Sequence, residues 1–99
     1  RHRIAFSKAD DAAADEVRRR FERLTPRERE VIDGVLKNAP NKIIARTLGI
    51  ELSTVKMHRA NAFAKLGVHS AGELLKMAYE AGIVSSAASA AESSDAQAF

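Results

Sequence analysis

Between Thr25 and Ala81 the chain is punctuated so closely by residues that start and stop helices that it can hold only short ones, four in number. Leu24-Thr25-Pro26-Arg27-Glu28 sets a Thr N-cap before a Pro at the first helical position, with Glu three residues after the Thr to close a capping box. Val31, Ile32, Val35 and Leu36 then fall on one stripe, and Pro40 drives Ala39 out of the helical region, so this helix ends near Lys37 or Asn38. Asn41 is expected to cap a second helix of barely two turns, with Ile43, Ile44, Ala45 and Leu48 facing inward and Gly49 stopping it. After the turn Gly49-Ile50-Glu51, an unbroken helical run extends from Leu52 to Leu66 and closes at Gly67. Ser70-Ala71-Gly72-Glu73 caps a fourth helix that runs to about Ala81. A short helix joined through a Gly-containing turn to a longer one is the pattern of a helix-turn-helix, whose second helix enters the DNA major groove.

The flanks differ in texture. From Lys8 to Arg23 there is no Pro or Gly, and Ala14, Val17, Phe21 and Leu24 recur at heptad-like steps, which predicts a helix. Two heptads are too few for a stable isolated coiled coil, so a linker helix leaning on the domain is favoured over a dimer stalk. The last stretch, Ser85 to Phe99, alternates Ser and Ala with no sustained apolar face, and a disordered tail is expected there. The chain thus divides into a linker helix (1–23), a helical domain (24–84) and a tail (85–99).

Composition limits the chemistry. Of 99 residues 45% are hydrophobic, but nineteen are Ala, which leaves twenty-six larger apolar side chains for a core. A domain of ~60 residues buries only about 60% of its unfolded surface and has little stability to spare for a deep substrate cavity, which argues against an enzyme. The absence of Cys excludes disulfides, thiolate metal sites and thiol catalysis. Apolar runs fall far short of the ~20 residues that cross a bilayer, and no signal-peptide pattern opens the chain, so a soluble, cytoplasmic protein with no membrane partner is expected. The chain starts at Arg1 and its only Met residues are Met57 and Met77, which points to a fragment of a longer protein. The net charge of +3 is distributed as +2 over residues 1–24, +3 over 25–84 and −2 over 85–99.

The third of the four short helices carries the functional signal. At ~100° per residue, Leu52, Val55, Arg59, Ala62, Phe63 and Leu66 share one face, apolar apart from Arg59. The opposite side collects Ser53, Thr54, Met57, Ala60, Asn61 and Ala64, with Lys56 and Lys65 on its shoulders. No carboxylate occurs between Glu51 and Glu73, whereas an ordinary solvated helix face alternates Glu with Lys. Small residues at Ala60 and Ala64 let the helix axis approach a groove, Met57 and Ala60 can touch a thymine methyl, and Lys56 can donate to guanine O6 and N7. Lys42 and Arg46 on the preceding helix can reach a phosphate backbone, and Asn41 with that helix's N-terminal amides offers an anion site. Arg59 is expected to snorkel to the rim and meet a phosphate or a local carboxylate.

Four ordered blocks carry a resemblance: Leu24-Thr25-Pro26-Arg27-Glu28-Arg29-Glu30-Val31, Asn41-Lys42-Ile43-Ile44-Ala45, Thr54-Val55-Lys56-Met57-His58-Arg59-Ala60-Asn61 and Lys65-Leu66-Gly67-Val68. Together they resemble the LuxR/FixJ-type DNA-binding domain that ends many bacterial response regulators and quorum sensors, over about Leu24 to Val84. His58-Arg59-Ala60-Asn61 is most similar to the FixJ branch. The resemblance implies an all-α, four-helix bundle that dimerises through its fourth helix, reads a two-fold site in double-stranded DNA, and activates transcription alongside RNA polymerase. Its base-reading positions fall on Lys56, Met57 and Ala60, and its phosphate contacts on Lys42, Arg46, Thr54 and Lys65. The dimer face falls on Gly72, Leu75 and Tyr79, with Leu74 and Ala78 toward the core. A receiver domain is the implied N-terminal companion, although residues 1–23 show no phosphoacceptor pattern. Glu51 stands where the family commonly has Ser or Thr as N-cap, so Ser53 is expected to take over and shift the helix start by two residues. Ala62 stands where larger aliphatics are usual, leaving the core beneath to Phe63 or a neighbour.

Other chemistry finds no support in the residues. His2, His58 and His69 are too scattered for a metal site, and His58 is read as a packing or backbone-contact residue. There is no nucleophile elbow, phosphate-cradling Gly loop or catalytic constellation, and no cofactor is expected. Arg18-Arg19-Arg20, offset by Asp15, Glu16 and Glu22, reads as a solvated face. Two rival functions remain: a helical protein-interaction adaptor, which Ala60 and Ala64 would serve equally well, and a sigma-factor-like helix-turn-helix that lacks dimerisation through the fourth helix.

Overall fold

The structure, a computed structural model, describes residues 8–83; the expected tail and His2 lie outside the described residues. Five α-helices and, among the described residues, no strands make up the fold: α1 (Lys8–Glu22), α2 (Pro26–Leu36), α3 (Asn41–Leu48), α4 (Leu52–Leu66) and α5 (Ala71–Glu80). This is the all-α helix-turn-helix bundle with a preceding helix.

The start of α2 is fastened as the sequence predicts. The Thr25 hydroxyl accepts from the Glu28 N–H at 3.1 Å, and the Glu28 carboxylate accepts from the Thr25 N–H at 3.0 Å. Past the end of α2, Asn38 adopts φ 64° and lets the Ala39 N–H reach back to the Gly34 carbonyl at 2.9 Å. Gly49 ends α3 in the same way, with φ 69° and a bond from the Ile50 N–H to the Ala45 carbonyl at 3.0 Å. That left-handed residue makes the sharp corner into α4.

The caps of α3 and α4 correct the sequence reading. Pro40 is the N-cap of α3 and makes no side-chain cap bond; Asn41 lies inside the helix, its side-chain oxygen engaged elsewhere. Glu51 is the N-cap of α4, also without a side-chain bond, and the helix begins at Leu52, so Ser53 does not take over the cap. An extended backbone at Glu51, φ −70° and ψ 148°, suffices to turn the chain into the helix. At α5 the Ser70 hydroxyl accepts from the Glu73 N–H at 3.1 Å, as expected.

The core gathers Val31, Ile32, Val55, Leu66 and Leu74, all essentially inaccessible, around the crossing of α2, α4 and α5. Ala62 is fully buried here, with Phe63 packed at the edge of the same cluster. A Cβ on Gly34 would come within 2.7 Å of Ile44 Cγ1, so the absence of a side chain on α2 is what allows α3 to lie so close. Two residues placed inward from the helical pattern are exposed: Ile43 at 39% and Leu52 at 37%. Each lies in the first turn of its helix, where it is only partly covered.

Helix α1 lies against α4 and α5 and buries Phe21, with Leu24 buried just beyond its end and Val17 half-buried. Its arginines are not merely a solvated face. Besides pairing with Asp15 and Glu16, Arg18 donates to the Ala81 carbonyl at 3.0 Å and Arg20 to the Leu66 carbonyl at 3.2 Å. Both acceptors lie at helix C-terminal ends, where carbonyls lack intrahelical partners and a cation complements the helix dipole.

Candidate nucleic-acid interface

Helices α3 and α4 and the corner between them set the geometry of the site. On α3, Lys42 and Arg46 are four residues apart and both exposed, while Ile44 and Ala45 are buried behind them. On α4, Val55, Ala62 and Leu66 are buried, which turns Lys56, Met57, Ala60, Asn61 and Ala64 outward. Met57 is 50% exposed, and Thr54 is half-buried at the edge of this face. The structure therefore exposes Lys42, Arg46, Lys56, Met57 and Ala60 on consecutive helices.

The electrostatics separate the cations into two kinds. Among the described residues, ion pairs involve Arg18, Arg19, Arg20, Arg27, Lys65 and His69. Lys42, Arg46 and Lys56 take part in none of them. From Lys37 to Gly72 the only carboxylate in the sequence is Glu51, so these charges stand without local neutralisation.

Lys65 behaves differently from its neighbours. Its ammonium lies 2.7 Å from Glu28 Oε1 and 3.4 Å from the Arg23 carbonyl. Glu28 is almost fully buried, and its carboxyl is held below the ordinary range. The hydrogen bond from Lys65 is the largest cause, followed by the Thr25 N–H, with burial opposing them. Lys65 is thus the counter-ion of a buried carboxylate, a role that sequence reasoning missed because Glu28 is thirty-seven positions away.

Arg59 has two partners within the domain that the sequence did not indicate. Its Nη1 donates to Asn41 Oδ1 on α3 at 2.9 Å, and its guanidinium lies 5.0 Å from the centroid of the Phe63 ring. It meets a neutral amide and an aromatic face rather than a carboxylate. His58 is half-buried, and exposed His69 lies 3.5 Å from Glu73 through Nδ1. On α5, Leu74 and Ala78 are fully buried, while Gly72, Leu75 and Tyr79 are exposed, Leu75 at 45% and Tyr79 at 54%. No helix among the described residues is long and apolar enough to cross a membrane.

A short helix, a glycine corner and a longer helix with an outward face free of acid make a helix-turn-helix domain. Comparison with known proteins gives the family. Residues 22–78 match the family described as bacterial regulatory proteins, luxR family, and the chain belongs to it. It is 41% identical over 79 residues to the transcriptional regulatory protein FixJ of Rhizobium meliloti (strain 1021), covering 80% of this chain and 39% of that protein. It is 36% identical over 74 residues to FixJ of Bradyrhizobium diazoefficiens, covering 75% of this chain and 36% of that one. Among solved structures, full-length FixJ from B. japonicum superposes with a TM-score of 0.73 at 35% identity, over 78% of this chain and 38% of that one. The chain thus spans between a third and two fifths of these FixJ proteins.

Proposed function

We propose that this domain binds double-stranded DNA sequence-specifically, with α4 in the major groove, as a homodimer on a two-fold site. The observation that carries this reading is the pair of adjacent helices whose exposed Lys42, Arg46 and Lys56 have no carboxylate partner among the described residues, beside a small-residue face at Ala60 and Ala64. Lys56, Met57 and Ala60 read base edges, and Lys42, Arg46 and Thr54 meet phosphates. Lys65, which neutralises Glu28 and keeps a partly exposed side chain, is a further phosphate contact. The exposed stripe of Gly72, Leu75 and Tyr79 on α5 is the self-association surface. As in a regulator of FixJ type, the domain acts downstream of a receiver domain and alongside RNA polymerase.

Selection of bound duplexes from a random pool, followed by a salt titration, tests the reading. A two-fold consensus is expected, and log affinity should fall with log salt at about −0.9 per phosphate contacted. An adaptor that binds protein alone would show no salt-graded duplex binding. Leu75→Glu should abolish paired half-site occupancy while leaving single half-site binding intact; unchanged paired occupancy would favour the sigma-like alternative.

A further inference from the structure

The proposed interface divides its work between two helices: α3 carries phosphate-facing cations and α4 carries the base-reading face. The division works only if the two helices are held at a fixed rotation and offset. Met57 and Ala60 are short-range readers, and constellations of this kind tolerate displacements of only about 0.5 Å. Buried Ile44 and Ala45 on α3 and Val55 on α4 belong to one core cluster that turns the apolar side of each helix inward, but such packing is non-directional and supplies no hydrogen bond to fix the offset between the two helices. The N-terminal end of α3 is held least, since Pro40 supplies no side-chain cap and Ile43 is 39% exposed.

Among the described residues, a single side-chain hydrogen bond joins α3 to α4, and it lies at that weakly held end. Arg59 Nη1 reaches Asn41 Oδ1 at 2.9 Å across eighteen positions of sequence. The guanidinium is itself fixed from beneath by the Phe63 ring, 5.0 Å away. A planar group stacked on one side and bonded at its tip has few orientations left, which a flexible ammonium at the same place would lack. The acceptor is a neutral amide, so the contact sets geometry without adding negative charge to a surface meant for a polyanion.

We infer that Arg59 is a positioning residue: acting through Asn41 and seated on Phe63, it locks α4 against the start of α3 and so converts phosphate anchoring into base discrimination. The inference rests on the DNA-binding reading above. It assigns Arg59 no contact with DNA, which separates it from Lys42, Arg46 and Lys56.

The test uses the chain with its selected duplex and a scrambled duplex of equal length, titrated over a series of salt concentrations. Arg59→Gln and Asn41→Ala are each expected to reduce the ratio of selected to scrambled affinity by about tenfold, the equivalent of 1.4 kcal/mol. Affinity for the scrambled duplex and the salt slope should stay unchanged. The double variant should be no worse than either single one, because both remove the same contact. Arg59→Lys, which keeps the charge but loses the planar fork, should also lose discrimination. Equal loss on both duplexes with a slope shallower by about 0.9 would make Arg59 a phosphate contact and overturn the inference. Unchanged discrimination in Arg59→Gln would overturn it equally. If melting shows Arg59→Gln to be unfolded, Asn41→Ala decides alone: lost discrimination upholds the lock, and retained discrimination refutes it. Failure of the wild-type chain to distinguish the two duplexes would instead refute the DNA reading itself.

Discussion

Helix α1 and the α3–α4 pair are both rich in cations, yet they use them in opposite ways. On α1, Arg18 and Arg20 each satisfy a carboxylate and a distant backbone carbonyl, so their charge is consumed within the molecule. On α3 and α4, Lys42, Arg46 and Lys56 are exposed and, among the described residues, take part in no ion pair. Counting basic residues would rank the Arg18-Arg19-Arg20 run as the more attractive anion site. The partners reverse that ranking, because a cation already engaged with carboxylates and helix ends has less to offer a phosphate. What marks an interface here is unspent charge rather than charge density.

Substitutions can break this contrast, and the largest effect is expected at its hinge. Glu28→Ala removes half of the capping box and strands Lys65, and should lower stability by about 2–3 kcal/mol in a chemical melt, after allowance for the partly exposed ammonium. Its loss in folding should exceed any change in salt slope. Lys56→Ala should do the reverse, weakening the preferred duplex by about 1–3 kcal/mol and relaxing base choice while the melting curve stays in place. Arg20→Ala, which uncovers the Leu66 carbonyl, is expected to cost about 1 kcal/mol of stability and leave the salt dependence of duplex binding untouched. For Arg46→Ala the signature is smaller and purely electrostatic: a slope shallower by about 0.9, similar on every sequence, with no stability change. A change of slope in the Arg20 variant, or of melting in the Arg46 variant, would erase the distinction.

Acid should sharpen it further. Glu28 binds its proton more weakly folded than unfolded, through Lys65 first and Thr25 second. Its contribution is therefore complete above the ordinary Glu range near 4.5 and disappears as the pH falls through the lowered folded value. Equilibrium unfolding followed from neutral pH downward should show this acid limb in the native chain and a shallower one in Glu28→Gln.

The sequence revealed those features that are encoded locally. Thr25, Pro26 and Glu28 lie within four residues and make their bonds among themselves, so the start of α2 could be read directly. The same holds for the corner at Gly49 and for Ser70 with Glu73. What escaped depends on partners far along the chain. Asn41 was expected to cap α3, but its oxygen is taken by Arg59; the pairing of Lys65 with Glu28, thirty-seven positions away, left no local trace in the sequence. Ile43 and Leu52 show the other blind spot: helical periodicity gives the direction of a side chain but not whether anything lies there to cover it. In the candidate site, outward direction was legible for Lys56, Met57 and Ala60 because their buried neighbours Val55 and Ala62 fix the rotation of α4.

The attachment of α1 has a mechanical consequence. Its arginines grip the trailing ends of two helices, α4 through Leu66 and α5 through Ala81, while Phe21 is wedged into the shared core. One helix thus braces two others at once: a variant that loosens α1 is expected to disturb the far ends of α4 and α5 together rather than either alone.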